Sequence, residues 1–413
     1  MRILLIFIFC FLLSPIFGQE TAQFRGPSRD GTYPEKGLLK KWPESGPKLE
    51  LQIVGIGKGY SQPIVYKGVI YITGIKKDTM DVISAYDLKG KLLWDRVYGH
   101  AWANSFPDTR STPTIQNDKI YLIGGMGTVC CLDAQNGNML WSQDAHNQFK
   151  GEYHKWGVAE SVLLTDQAAV YVTGGTETSV VAYDKITGKH LWSTKSLGGP
   201  RAYASSTSIE RNGLKIILAQ TANDLIGINS INGEILWNFN LMQFHLGESG
   251  KGANTLTPIY HDGEIFVTSG YDHPATMFSL SEDGHSVNLK WKNEEMDTHH
   301  GGVVLVDGHL YGSNWQSNSK GQWVSIDWKT GRTNWVKEWF NKGSIIASDG
   351  LLYCYEEKGG NVALVQPDVS DFKIISTFKV EAGEGAYWAH PAIYDGMLYL
   401  RHGNTLLIYN IKA

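Results

Sequence analysis

The chain has 413 residues, of which 42% are hydrophobic and 12% are aromatic, and this composition is sufficient for a large buried core. The formal net charge of −4 gives no electrostatic basis for a nucleic-acid partner or for binding to an acidic membrane. The 46 glycines indicate many tight turns. Composition alone therefore predicts a turn-rich globular protein.

Residues 1–18 have the features of a cleaved signal peptide. Arg2 supplies a positive charge, an apolar run extends from Ile3 to Leu13, and Gly18 offers a small residue for cleavage. The run is too short to cross a membrane comfortably as a helix. Cys10 lies inside it with no small residue before it, so a lipoprotein site is not predicted. We expect a monomer that is exported to the periplasm or out of the cell.

Residues 19–47 form an irregular lead-in that is rich in proline and glycine, and it includes the segment Phe24-Arg25-Gly26-Pro27-Ser28-Arg29-Asp30-Gly31. From residue 48 onward, short β-rich segments alternate with tight turns. Asn-Gly and Asp-Gly pairs tolerate positive φ and predict hairpins at Asn212-Gly213, Asp262-Gly263, Asp307-Gly308, Asp349-Gly350 and Asp395-Gly396. No segment has a sustained 3.6-residue apolar period, so little helix is expected.

A motif consisting of an apolar residue, Asp or Asn, a turn with Gly and then Trp recurs at intervals of 44 to 54 residues. Its clearest copy runs from Asp184 through Gly188 to Trp192. Intervals of this length are typical of propeller blades and solenoid repeats. The six copies end at Trp94, Trp141, Trp192, Trp237, Trp291 and Trp335.

The repeats amount to eight units of short strands, and eight meanders must protect their edge strands. A radial arrangement does this, whereas a β-solenoid would have shorter and more uniform rungs. The last unit has three strands only, and residues 48–54 are a single strand at the start of the β region. Residues 48–413 are therefore predicted to form an all-β, eight-bladed β-propeller of four-stranded antiparallel meanders. Its ring would be closed by the N-terminal strand, which completes the last blade.

The Asp-x-x-Thr-Gly-Lys-x-x-Trp motif at residues 184–192 and its relatives resemble the repeats of the quinoprotein-type (PQQ-like) β-propeller family. The resemblance covers residues 48–413 and implies that the six tryptophans dock between neighbouring blades. Burial of a tryptophan removes about 150–250 Å² from water, which also favours a structural role. The seventh unit departs from the pattern: it has no Gly-Lys turn, and Phe378 stands where tryptophan is expected. Blade seven is therefore expected to pack less regularly.

The parity of the turns predicts where a binding site lies. In a meander the first and third turns share one face, and the second turns share the other face with the connections between blades. These connections are long, and function commonly resides on loops held by a rigid scaffold. We predict a binding site at the mouth of the central channel, although any single residue here could instead satisfy carbonyl groups of its own loop. The candidates are Arg110, Tyr153, His154, Trp156, Arg201, Lys251, His299, His300, Trp388 and His390.

Two functions are compatible with these features. The resemblance to BamB-like exported members of the family implies a non-catalytic scaffold that binds a protein partner or a small ligand, with no catalytic residue, cofactor or metal. The alternative is an oxidoreductase that uses PQQ and Ca²⁺ to oxidise an alcohol or a sugar. The resemblance then places the quinone at the axis, and Glu160, Asn254 and Asp297 lie on suitable loops to hold calcium.

Two further features bear on this choice. In some PQQ dehydrogenases adjacent cysteines form a disulfide near the cofactor, and this chain has Cys130-Cys131. Here the pair lies in a predicted strand, where alternation directs the two side chains to opposite faces, so two small buried residues are expected. Trp102, Trp156 and Trp388, if exposed, would suit the face of a glycan.

Overall fold

The computed structural model describes residues 21–76, 79–248 and 250–413, and the predicted signal peptide lies outside these ranges. The described chain forms eight antiparallel four-stranded sheets, two of which gain a fifth short strand. Within these ranges, helix is limited to single turns at Ala145–Gln148 and Met242–Phe244. Within the described ranges, no helix has the length and apolarity needed to span a membrane. The all-β, eight-bladed propeller is confirmed.

Each blade is an up-and-down meander whose first strand lies at the axis and whose fourth strand lies outside. In blade 1 the strands are Ile64–Tyr66, Val69–Lys76, Met80–Asp87 and Leu92–His100. In blade 2 they are Thr114–Gln116, Lys119–Ile123, Thr128–Asp133 and Met139–Asp144. In blade 3 they are Leu163–Leu164, Ala168–Val172, Val180–Asp184 and His190–Ser193. In blade 4 they are Thr207–Arg211, Leu214–Gln220, Asp224–Asn229 and Ile235–Asn240.

The second half of the ring repeats this plan. In blade 5 the strands are Ile259–His261, Glu264–Val267, Ala275–Leu280 and Val287–Asn293. In blade 6 they are Val303–Val306, His309–Ser313, Trp323–Asp327 and Thr333–Lys337. In blade 7 they are Gly343–Ser348, Leu351–Glu356, Asn361–Gln366 and Lys373–Lys379. In blade 8 they are Ala392–Tyr394, Met397–His402, Thr405–Asn410 and Lys48–Val54.

The two ends of the described chain share blade 8. Lys48–Val54 pairs antiparallel with Thr405–Asn410, and Leu51 lies opposite Ile408 just past a β-bulge. The predicted closure of the ring through the N-terminal strand is therefore confirmed. Leu51 also packs against the next blade, because a Cβ added at Gly90 would lie 3.0 Å from its side chain.

The tryptophans of the repeat connect each blade to the next. Trp141 pairs with Cys131 just before a β-bulge, and its side chain is buried. Its ring lies over the turn of blade 3, where a Cβ added at Gly188 would lie 2.7 Å away. Its Nε1 donates to the carbonyl oxygen of Lys185 at 3.1 Å. The same contact with a turn glycine joins Trp94 to Gly137, Trp192 to Gly233 and Trp291 to Gly331.

Blade 7 has no tryptophan of its own, and the sequence interpretation placed its substitute at the wrong residue. In blades 1 to 6 the tryptophan directly follows the bulged residue of the fourth strand, and in blade 7 this position belongs to Ser376, which pairs with Leu364. Phe378 lies two residues further along the strand and packs on Gly46. The prediction that Phe378 takes the place of the tryptophan is therefore wrong by two residues, because the turn before this strand differs in length from the turns of the other blades.

Trp42 of the lead-in fills the empty position in blade 7. Its ring lies 6.1 Å from that of Tyr353, which matches the 6.1 Å between Tyr311 and Trp335 in blade 6. Its backbone N–H donates to Ser376 Oγ at 3.0 Å, and the residue is 2% exposed. Blade 7 is thus packed by a tryptophan that comes from a distant part of the chain.

Residues 21–33 form a second unexpected element, which we call the channel hairpin. The chain reverses its direction here, and its two short strands pair with different blades and not with each other. Thr21–Ala22 pairs antiparallel with the first strand of blade 2. Thr32–Tyr33 pairs in parallel with the first strand of blade 7. The lead-in was predicted to be irregular, but it contains two short strands that pair with the exposed edges of inner strands. The sequence of the lead-in alone does not reveal these partners. The hairpin therefore spans the channel.

Two buried arginines of the channel hairpin hold the blades together. Arg25 donates to the carbonyl oxygens of Val303 and Ile345 in blades 6 and 7, at 2.6 and 3.3 Å. Arg29 donates to carbonyl oxygens at the start of blades 3 and 4, those of Ser161, Val162 and Ser206. Burial lowers the pKa of both guanidinium groups to about 10, so they stay charged at neutral pH.

Replacing Gly188 by Ala tests the contact between neighbouring blades. Gly188 has a φ of 71°, and a Cβ there would lie 2.7 Å from the ring of Trp141. Gly213 is a matched control, since its φ is 81° and an added Cβ meets nothing within 4 Å. Backbone strain is common to both substitutions, and only Gly188→Ala displaces the indole. We expect Gly188→Ala to cost about 1–3 kcal/mol more in unfolding free energy than Gly213→Ala, measured by urea denaturation. Equal losses would contradict the docking role.

A double-mutant cycle tests the role of Trp42. Trp42→Ala is expected to lower the free energy of unfolding by about 3–5 kcal/mol, because it empties a buried position. Ser376→Trp alone should also destabilise, since Trp42 already occupies the space beside it. Combined with Trp42→Ala, it should recover part of the loss, because it restores the tryptophan that blades 1 to 6 carry. If Ser376→Trp is equally harmful in both backgrounds, Trp42 does not fill this position.

Candidate functional site

A cavity of about 320 Å³ opens at the axis, on the face that carries the inter-blade connections. Its lining comes from these connections, from second turns of blades 5 to 7 and from the tip of the channel hairpin, as turn parity predicts. Seven aromatic rings line it, those of Phe24, Tyr60, Phe106, Trp156, Tyr203, Tyr271 and Trp388. The site is thus a preformed aromatic basin above the hairpin.

The structure brings together six of the ten residues proposed from the sequence. These six line the cavity and are Arg110, Trp156, His299, His300, Trp388 and His390. His390 is buried, with Nδ1 3.0 Å from Arg25 Nη1 and Nε2 2.8 Å from the carbonyl oxygen of His300. It therefore joins the cavity to the hairpin rather than offering free atoms to a ligand.

The other four proposed residues do not line the cavity. Tyr153 stacks on His146 with ring centroids 3.7 Å apart. His154 lies with its ring nitrogens near Tyr203 Oη and the carbonyl oxygen of Lys251, at 2.8 and 3.0 Å. Lys251 itself pairs with Glu248, and Arg201 is buried against Glu160. These side chains satisfy groups of the loops and blades, which was the alternative for each of them.

One wall of the cavity is built around Trp388. Its ring centroid lies 4.8 Å from Tyr60, 5.8 Å from Phe106 and 5.4 Å from His300, at interplanar angles of 49° to 59°. Phe106 is 53% exposed. Because the rings are tilted and not parallel, they form a concave surface and not a flat slot.

The opposite wall joins blades 3 to 5. Trp156 stacks on Tyr271 with centroids 5.6 Å apart and planes 21° apart. The backbone N–H of Trp156 donates to Tyr203 Oη at 2.8 Å. Tyr271 Oη lies 2.7 Å from His299 Nε2, so this wall is fixed by hydrogen bonds. Tyr271 lies on a second turn, a class of loop that the parity argument indicated without identifying its residues.

The cavity contains one buried ion pair. Lys342 Nζ lies 2.7 Å from Glu357 Oε1 and also donates to the carbonyl oxygens of Ser317 and Asn318. His300 Nε2 lies 3.5 Å from Glu357 Oε2. Burial raises the pKa of the Glu357 carboxyl to about 7 and lowers that of His300 to about 3. The charge of Lys342 opposes the rise in the pKa of Glu357, and Glu357 Oε2 faces the cavity beside His300.

Arg110 is the remaining charged residue of the lining. Its Nη2 donates to the carbonyl oxygens of Ser105 and Phe106. Burial lowers its pKa, and Tyr60 together with the carboxylates of Asp108 and Asp81 partly offsets this effect. Among the residues that the structure describes, no carboxylate lies within ion-pair distance of Arg110.

Two expectations about individual residues have clear outcomes. Trp102 is 9% exposed and packs against Gly157 and Tyr153, so the idea that it offers an exposed face to a glycan is wrong. Cys130 and Cys131 are free and buried in separate apolar clusters on the two faces of their strand. Burial raises the pKa of Cys131 to about 12 and that of Cys130 further still, which keeps both as unreactive thiols.

Two of the three residues considered as calcium ligands, Glu160 and Asn254, have other partners. The third, Asp297, accepts the N–H of Asp272 through Oδ2, and its buried Oδ1 has no hydrogen-bond partner among the described residues. Glu160 is buried, with Oε2 2.9 Å from Arg201 Nη2 and accepting the N–H of Val172. Asn254 donates through Nδ2 to carbonyl oxygens, and its Oδ1 lies 3.2 Å from His245 Nε2. In the described ranges, no cluster of three or more His, Cys, Asp or Glu is placed to hold a metal ion.

Asp297 provides a test by pH. Burial raises the pKa of its carboxyl to about 8, whereas the unfolded chain has an ordinary value of about 4. The folded protein thus keeps a proton that the unfolded chain loses between these values, and stability falls as pH rises through this window, by up to about 1.4 kcal/mol per unit. Asp297→Asn should remove that loss and gain stability relative to wild type at pH 8 but not at pH 4, in thermal unfolding. Asp262→Asn, at an exposed turn, is the control. Parallel pH profiles of wild type and Asp297→Asn would contradict the raised pKa.

An eight-bladed ring of tryptophan-docked meanders with an axial loop-face cavity defines a propeller of the quinoprotein type. The family model described as outer membrane protein assembly factor BamB (PQQ_2) matches residues 79–337, and the chain belongs to this family.

Curated relatives include proteins of two kinds. The outer membrane protein assembly factor BamB of Kangiella koreensis is 27% identical over 221 residues, which cover 52% of this chain and 50% of that protein. The quinoprotein ethanol dehydrogenase of Pseudomonas putida is 23% identical over 299 residues, which cover 63% of this chain and 46% of that protein. The chain therefore spans about half the length of the curated relatives it matches.

The solved structures that resemble this chain also include both assembly factors and dehydrogenases. BamB from Moraxella catarrhalis superposes with a TM-score of 0.62 at 12% identity and covers 88% of this chain and 99% of that one. The quinohemoprotein alcohol dehydrogenase from Comamonas testosteroni gives a TM-score of 0.65 at 10% identity and covers 94% and 79%. At these identities the likeness concerns the fold, which assembly factors and dehydrogenases share.

Proposed function

We propose that this protein is an exported, non-catalytic binding propeller of the bacterial cell envelope. It holds a protein partner or a small ligand on the inter-blade loop face, and the aromatic cavity is the centre of that site. The observation that carries the proposal is the preformed basin of about 320 Å³, lined by seven aromatic rings. Aromatic-lined concave pockets with a few convergent polar groups are the usual form of binding sites.

The envelope location follows from two supports. Residues 1–18 have the composition of a signal peptide, and relatives carry the name of outer membrane protein assembly factor. The rigidity of the site fits a binding role, since the channel hairpin, His390 and the hydrogen bonds of Tyr271 and Tyr203 hold the walls in place. A site that is already formed loses little conformational freedom when it binds.

The alternative, a dehydrogenase with PQQ and Ca²⁺, fits these residues poorly. Calcium requires six to eight oxygen ligands, and Glu160 already faces the cation of Arg201 at 2.9 Å. Asn254 directs its amide donors to carbonyl oxygens, and its one oxygen faces His245. Cys130 and Cys131 lie within the core of blades 1 to 3, away from the cavity lining. We therefore place no catalytic step in this cavity.

A photo-crosslinking experiment tests the binding face. A crosslinking amino acid replaces Phe106, which is 53% exposed beside the cavity, or Ile231, which is 79% exposed on a third turn of the opposite face. We expect specific envelope crosslinks from position 106 and none from 231, because only the loop face carries the site. Crosslinks confined to position 231 would place binding on the other face and overturn the proposal.

Reconstitution separates binding from catalysis. The purified protein is incubated with PQQ and Ca²⁺, and dye reduction with ethanol and glucose is measured beside a thermal shift. We expect no dye reduction, because Glu160 and Asn254 are engaged elsewhere and the single free oxygen of Asp297 falls far short of the six to eight oxygen ligands that calcium needs. Turnover that requires both PQQ and Ca²⁺, and is lost with EDTA, would replace the binding role by the dehydrogenase.

A further inference from the structure

Five arginines surround the axis, and four of them donate to the protein through at least two of their three nitrogens. Arg25 and Arg29 bind carbonyl oxygens of the inner strands, as described above. Arg201 donates to Glu160, Tyr171 and the carbonyl oxygen of Ala202. Arg401 donates through all three of its nitrogens, to Gly403, Ser61, Thr73 and Gly57. Each of these guanidinium groups is structural.

Arg110 differs from the other four. Only its Nη2 donates, to two loop carbonyl oxygens, so Nε and Nη1 keep free N–H groups in the described structure. The same residue lines the cavity. A guanidinium fork matches a carboxylate in a two-bond geometry. Arg110 is therefore placed to receive an anionic group that the protein itself does not supply.

The charges of the lining agree with an anionic ligand. Glu357 is already neutralised by Lys342 at 2.7 Å, and burial lowers the pKa of His299 and His300, which keeps both rings neutral. Asp108 and Asp81 attract Arg110 at longer range only. The positive charge of Arg110 is thus the one uncompensated charge among the described lining residues.

The shape of the cavity limits the rest of the ligand. About 320 Å³ is at the lower end of the range for ligand pockets, about 300–1,000 Å³, which suits one or two rings. The rings around Trp388 are inclined by 49° to 59° and form a concave wall. A puckered sugar ring can pack its C–H groups against the face of Trp388 while the inclined neighbouring rings contact its edges.

Polar groups suited to hydroxyls lie beside this wall. Glu357, Ser205, Thr255 and Asn318 all line the cavity, and Glu357 Oε2 is directed to the side of His300. Carboxylate, hydroxyl and amide groups accept and donate the hydrogen bonds that sugar hydroxyls require.

We propose that the cavity binds an acidic sugar, a uronate of one or two rings whose carboxylate is held by Arg110 and whose ring packs against Trp388. This inference rests on the proposed function, because it names the ligand of the same site. Glu357 accepts hydrogen bonds from the ring hydroxyls in this arrangement. Binding is reversible and breaks no covalent bond.

The test compares D-glucuronate with D-glucose, which differ only in the oxidation of C6. Saturation-transfer NMR and tryptophan fluorescence titration are made on the full mature chain. We expect glucuronate to bind at least tenfold more tightly than glucose, since only glucuronate engages Arg110. Arg110→Gln should abolish this preference, and Arg110→Lys should keep part of it because it retains the charge without the fork. Arg332→Gln, at an exposed turn of the opposite face, should leave it unchanged.

Three results overturn the inference. Equal affinity of the wild-type protein for glucose and glucuronate would contradict the proposed role of Arg110 in binding the carboxylate. Benzoate binding as tightly as glucuronate, with the same loss in Arg110→Gln, replaces the sugar by a flat aromatic acid. Absence of binding by all three probes, with unchanged melting temperatures, rejects a small-ligand role for the cavity. The crosslinking at position 106 is a separate measurement, so a partner found there would maintain the proposed function even when the sugar inference fails.

Discussion

The inner strand of every blade has one edge that no neighbouring strand covers, and the propeller depends on how these edges are hydrogen-bonded at the axis. In this chain the channel hairpin covers part of them with two short strands and two arginines. Arg25 serves blades 6 and 7, and Arg29 serves blades 3 and 4. A cation suits this task because its several donors reach carbonyl oxygens of different blades at once. The hairpin is therefore both the floor of the cavity and a fastening for the ring.

Arginine side chains have two different roles near the axis. Arginines that donate through two or three of their nitrogens stabilise the channel, and Arg110, which in the described part of the chain donates through Nη2 alone, lines the cavity. Arg25, Arg29 and Arg401 are held by neutral carbonyl oxygens and hydroxyls, and their pKa values of about 9 to 10 leave them charged at neutral pH. Among the arginines near the axis, and within the described ranges, Arg201 is the one with a carboxylate in ion-pair contact. Arg110 lines the cavity with no carboxylate in ion-pair contact within the described residues, and its charge favours an anion there.

The architecture was predictable because the repeat is local: the turn glycine and the tryptophan of each motif lie a few residues apart, so spacing alone reveals the blades. Trp42 could not be assigned in this way, because its partner Tyr353 lies in a distant part of the sequence. The cavity was predictable only in part. Turn parity identified the correct face, yet Tyr271 and Glu357 lie on second turns that carry no motif. Arg201 was wrongly predicted to line the cavity, because its buried partner Glu160 lies 41 residues away and no local pattern connects the two.

A ring fastened by its first residues cannot be finished before its last residues exist. Arg25 needs Ile345 and His390, and Lys48–Val54 needs Thr405–Asn410, so the segment made first has its partners in the segment made last. Until the C-terminal strands are present, the blades form an open arc with an empty axis. The fastened axis therefore requires residues 25–54 together with the strands of blades 7 and 8, and a chain that stops before blade 7 would have no partners for this segment.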